Sequence, residues 1–131
     1  MLRRVVGAAG VLAASVVLSG CSPEVLPLAA VAVDGEGTPR VLVRPCGAWS
    51  GDVEFPLFSP PAAWKAEARG EQRLLPGHTY AFVFYGHTDD QANGEVSFTA
   101  ADLGRLEQGE VWADDRVMGA DEFEELAEGA C

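Results

Sequence analysis

The chain has 131 residues, with 20 Asp and Glu against 9 Lys and Arg and a formal net charge of −11. That length sets one domain with a single hydrophobic core. So acidic a surface excludes nucleic-acid binding through phosphate contacts and disfavours anionic lipid headgroups.

Arg3 and Arg4 open a short basic segment, and residues 5–18 hold only apolar residues, glycine and Ser15. An export signal carries an apolar stretch of about 7–15 residues, whereas a membrane-spanning helix needs about 20. The run therefore suits export, and its glycines weaken it as a permanent helix. It closes on Leu18-Ser19-Gly20-Cys21, which resembles the lipobox of bacterial lipoproteins. The resemblance implies that residues 1–20 are a signal peptide that is removed and that Cys21 is the lipidation site. It places the mature protein on the extracytoplasmic side of the cell membrane, held there by acyl chains worth about 0.8 kcal/mol per buried CH₂. The chain has no isoleucine, one lysine (Lys65), one asparagine (Asn93) and eight arginines, the residue usage of a GC-rich genome such as an actinomycete's.

Residues 21–28 form the lipid anchor and a tether, and residues 29–131 form the domain. Residues 29–33 (AAVAV) and 40–44 (RVLVR) predict two strands around turn residues 34–39 (DGEGTP). In residues 52–58, Val53, Phe55 and Leu57 share one face of a strand, and Pro56 confines it to an edge or a bulge. Beyond Pro60-Pro61, Trp64, Ala66 and Ala68 alternate with Lys65, Glu67 and Arg69. That alternation predicts a half-buried strand with Trp64 in the core, although alanine, lysine and glutamate also favour a helix over residues 62–69.

Residues 80–85 (YAFVFY) are apolar on both faces and predict the central strand of the core. A loop over residues 87–94 ends in the turn signal Asn93-Gly94. Residues 95–99 return as a strand with Val96 and Phe98 inward. Thr99 and Asp102 have the spacing of a helix cap. Residues 110–113 predict the last strand, around Val111 and Trp112. Residues 121–128 predict a C-terminal helix, capped by Asp121 with Glu124 at capping-box spacing. Its apolar face is Phe123, Leu126 and Ala127, and Gly129 ends it.

With Cys21 lipidated, Cys46 and Cys131 remain, and two cysteines in an oxidising compartment read as one disulfide. It would pin the last residue of the chain and contribute about 4–5 kcal/mol in the chain-entropy account. Leu75-Pro76-Gly77-His78-Thr79-Tyr80 resembles the tyrosine corner of immunoglobulin-like and fibronectin-type sandwiches, where the tyrosine hydroxyl bonds back to the preceding backbone. The fold expected is a mainly β, small immunoglobulin-like β-sandwich of about seven strands with a short C-terminal helix.

No catalytic constellation stands out. Ser50 lacks the flanking glycines of a hydrolase elbow, since Ala48 and Asp52 hold those places. His78 and His87 sit at opposite ends of one strand, about 30 Å apart at the usual rise, and cannot share a metal. Asp89, Asn93 and Gly94 partly resemble an EF-hand loop, but Gln91 and Ala100 stand where calcium ligands belong. The acidic loop then reads as a hairpin, with Asp89, Asp90 and Glu95 as its candidate binding groups. Trp49, in a loop beside Cys46, is the aromatic best placed to stack on a sugar or anchor a partner.

These features together predict a non-enzymatic binding module of the cell envelope, tethered through lipid on Cys21, with a protein or glycan partner and no cofactor or metal. The alternatives are a small envelope hydrolase using loop carboxylates, or a structural subunit of a membrane complex. The first requires a pocket with converging carboxylates. The second requires a large exposed apolar patch.

Overall fold

The computed structural model describes residues 24–46, 51–85 and 92–131. These residues form eight strands in two sheets: β1 Val25–Leu26, β2 Ala29–Val33, β3 Pro39–Val43, β4 Val53–Pro56, β5 Thr79–Phe84, β6 Asn93–Thr99, β7 Glu110–Ala113 and β8 Arg116–Gly119. A short helix α1 (Ala100–Gly104) follows β6, and α2 (Ala120–Ala130) closes the chain. The larger sheet has the order β4-β3-β2-β7-β8 and the smaller one β1-β6-β5. The expected mainly β, two-sheet fold with a C-terminal helix is what forms.

The larger sheet is a middle layer, and the sequence of β2 shows why. Ala29 and Val31 pack with Val96 and Phe98 of β6 and with Trp112 of β7. Ala30, on the opposite face, packs with Leu42, Val111, Met118 and the α2 residues Phe123 and Ala127. A strand buried on both faces reads as a continuous apolar run rather than an alternation. Alternating alanine and valine keep that run thin enough for a sheet on one side and a helix on the other. At the far end, Val41, Val43 and Phe55 face Phe82 and Phe84 of the smaller sheet. The Trp112 indole N–H donates to the Ser97 carbonyl at 2.8 Å, so one side chain ties β7 to β6 across the layers.

Local sequence explains the connections. Asp34 Oδ1 accepts from the backbone N–H groups of Glu36 and Thr38, both at 2.9 Å, and holds the β2–β3 turn. Thr99 and Asp102 form the expected reciprocal capping box on α1. The tyrosine-corner geometry is present: the Leu75 backbone N–H donates to the Tyr80 hydroxyl at 2.7 Å. Cys46 and Cys131 are joined as a disulfide with Cα atoms 5.5 Å apart, fastening the end of α2 near the end of β3.

Several expectations are corrected. Residues 80–85 are not the central strand: β5 is an edge strand, and its burial alternates because Tyr80, Phe82 and Phe84 turn inward while Ala81, Val83 and Tyr85 turn out. β2 holds the central place of the larger sheet, and β6 that of the smaller one. Residues 62–69 form no strand. Ala62–Trp64 is one 3₁₀ turn, ended by Lys65 in the left-handed region at φ 50°. No sheet edge pairs with this segment, so its alternation buries nothing. Trp64 is not in the core: it is 48% exposed and touches Phe55 edge-on, with ring centroids 5.0 Å apart.

Asn93-Gly94 is not a turn but the start of β6, paired to β1 in parallel and to β5 antiparallel. Residues 110–113 are not the last strand. β8 follows through a tight hairpin at Asp114 and Asp115, whose φ values are 50° and 58°. Such turns usually signal themselves with Asn-Gly, and two aspartates hid this one. The α2 cap is Gly119 without a side-chain bond, so Asp121 and Glu122 act on the first turn as favourable charges at the positive end of the helix dipole. The helix continues through Gly129 to Ala130. Residues 25–28, within the segment read as a tether, supply β1 and the fully buried Leu28.

Candidate binding edge

Cys21, Trp49, Asp89 and Asp90 lie outside the described residues. Glu95 lies on β6, exposed, in a groove of about 280 Å³ that also includes Val25, Leu26, Pro27, Ser97, Asp114 and Asp115. No group of three or more His, Cys, Asp or Glu among the described residues is arranged to hold a metal ion. No helix among them is long and apolar enough to cross a membrane.

A second groove, of about 340 Å³, lies beside the disulfide. Asp52, Glu124 and Glu128 line it, and two of the three, Asp52 and Glu124, converge on Arg44 rather than on open space. Arg44 Nε is 2.7 Å from Glu124 Oε1 and 3.7 Å from Asp52 Oδ2. Its Nη1 donates to the carbonyls of Val43 at 3.1 Å and Val53 at 3.4 Å. One guanidinium thus clamps β3, β4 and α2 together. A third groove, of about 460 Å³, runs between residues 57–72 and Tyr80. Glu67 and Glu71 line it, each in a solvent-exposed ion pair with Arg69 and Arg73 respectively.

The edges of the two sheets differ in a way that bears on binding. A sheet edge carries unpaired N–H and C=O groups, and proteins blunt it with short strands, proline, charge or a covering element. β4 is four residues long and ends in Pro56, with Glu54 outward. β8 is four residues long, begins with Arg116 and runs directly into α2. β1 is two residues long and is followed by Pro27. Among the described residues, β5 carries none of these protections. It is six residues long, TYAFVF, with no charge and no proline. Its register with β6 runs without a bulge from Thr79–Thr99 to Phe84–Gly94. Among the described residues, β6 is the one strand it pairs with.

The side chains flanking that edge are apolar and accessible. Val83 is 39% exposed and Tyr85 72% exposed. An uncharged apolar run reads from sequence as buried on both faces, which hides Val83 and Tyr85 as candidates. The available signal was period two: aromatic residues fall at 80, 82 and 84, so one face holds the rings and the other holds Ala81 and Val83. No protein-family model, characterised protein or solved structure matches the chain.

Proposed function

We propose that the protein is a lipid-anchored, extracytoplasmic lipoprotein whose domain is a non-enzymatic docking module for a protein partner in the cell envelope. The lipobox at Leu18-Ser19-Gly20-Cys21 supports the anchor. The tyrosine corner supports kinship with immunoglobulin-like sandwiches, a scaffold that presents edges and loops to partners. The observation that carries the docking reading is the β5 edge, unprotected among the described residues where the other three edges are blunted. It favours a protein over a glycan, because an open edge offers a row of backbone donors and acceptors that another chain's backbone matches.

Site-specific photo-crosslinking in cells tests this. A crosslinker at Val83 is expected to give a discrete protein adduct in the membrane fraction, and one at Arg116 on the β8 edge none. Intact mass of the extracted protein is expected to start at a diacylglyceryl-modified Cys21. No adduct at Val83, together with turnover of an envelope substrate by the purified protein, would reverse the docking reading. An unmodified N-terminus would remove the anchor.

A further inference from the structure

Resting on that docking reading, we infer that the partner of β5 is an extended, cationic peptide segment that adds to the smaller sheet as its fourth strand. Its length follows from β5: six residues span about 20 Å, so a segment of about six to eight residues completes the ladder. Its charge follows from the surroundings. The chain carries a formal net charge of −11. Glu95 lies directly across the ladder from Val83, on the exposed face. At the other end of β5, beside Tyr80, Glu67 and Glu71 are balanced by their ion pairs with Arg69 and Arg73, so the negative charge that selects the segment is that of Glu95 and of the chain as a whole.

A second copy of this chain would bring the same negative charge to the edge, and like charges oppose that pairing. A basic strand reverses the sign. Strands in a sheet lie about 4.8 Å apart, so an added residue opposite Val83 stands about 9.6 Å from the β6 backbone. A lysine or arginine there has a stem long enough to lie over Val83 and bring its charge toward Glu95. The segment therefore alternates basic residues on the solvent face with apolar residues that extend the row of Tyr80, Phe82 and Phe84. Backbone hydrogen bonds hold it, and the charges select it.

The test uses the full chain in detergent and a fluorescent alternating Lys-Val peptide of about eight residues, read by anisotropy. Three comparisons are made. The same peptide N-methylated at alternate residues is expected to bind at least about tenfold more weakly, since it keeps the charge but loses one row of donors. A Glu-Val peptide is expected to lose at least about tenfold as well. Val83→Lys is expected to weaken binding by a similar factor, while Val83→Thr retains it. Equal binding of the methylated and unmethylated peptides would overturn strand addition in favour of plain charge attraction. Absence of binding, or a dimer by sedimentation that the peptide does not dissociate, would overturn the cationic partner. Lipid on Cys21 is read separately by mass, so failure of the anchor and failure of the peptide reading remain distinguishable.

Discussion

Gly94 is a packing requirement. It pairs with Phe84 in the β5–β6 ladder, and the Phe84 ring lies across it. An ideal Cβ at Gly94 would sit 2.5 Å from Phe84 Cζ and closer still to Cε1. Carbon atoms pack at about 3.5–4.0 Å, so in Gly94→Ala the ring must retreat by more than about 1 Å. Retreat is not free, because Phe84 packs against all three buried clusters of the domain. Overpacking of this kind destabilises by about 1–3 kcal/mol. Alanine returns about 0.5–1 kcal/mol of backbone entropy, leaving a net loss of about 1–2 kcal/mol. In a Phe84→Leu background the two nearest ring atoms, Cε1 and Cζ, no longer exist, and the remaining 2.9 Å approach of a δ carbon is relieved by a small turn of the shorter side chain. There Gly94→Ala should be neutral or stabilising by up to about 0.5 kcal/mol. Urea denaturation of the four proteins gives the cycle, with an expected coupling of about 1–2.5 kcal/mol. Additive effects would refute the reasoning, and so would a stabilising Gly94→Ala in the native background.

Three further outcomes are expected. Replacing both Cys46 and Cys131 by serine releases a loop closed over a sequence separation of 85 and should lower stability by about 4–5 kcal/mol by denaturant titration; a loss under about 1 kcal/mol would contradict the staple. Phe123→Ala empties a fully buried site between α2 and the larger sheet and should lose about 3–5 kcal/mol, measured the same way. Tyr80→Phe removes the acceptor of the Leu75 N–H and should lower stability by about 1 kcal/mol, with faster exchange of the Leu75 amide; unchanged exchange there would deny the corner its structural role.

The sequence made some elements legible and hid others for physical reasons. β2 and its turn were readable because Asp34 and Gly37 are local turn chemistry that needs no tertiary partner. The capping box of α1 and the disulfide were readable for the same reason: each is a small set of residue types with one dominant use. Edge and centre were not readable. β2 and β5 are both uncharged apolar runs, and only the arrangement of sheets decides that β2 is sandwiched while β5 stands at a margin. The residues beyond Pro60-Pro61 misled because alternation predicts a strand only where a neighbouring edge is free to pair. Asn93-Gly94 misled because the same glycine serves a tight turn or makes room for an aromatic ring, and here Phe84 decides. The candidate site followed the same pattern. Single residues such as Trp49 and Glu95 announce themselves by their chemistry, whereas the β5 edge is a property of backbone position that no residue type announces.

Residue-resolved hydrogen exchange along β5, with and without the alternating Lys-Val peptide, tests the open edge most directly. In the free protein, alternate amides of Thr79–Phe84 should exchange rapidly, while those of Ala29–Val33 stay protected. Saturation with the peptide should slow that exposed set on β5. Protection of every β5 amide in the free protein would contradict the account, as would exchange left unchanged by the bound peptide.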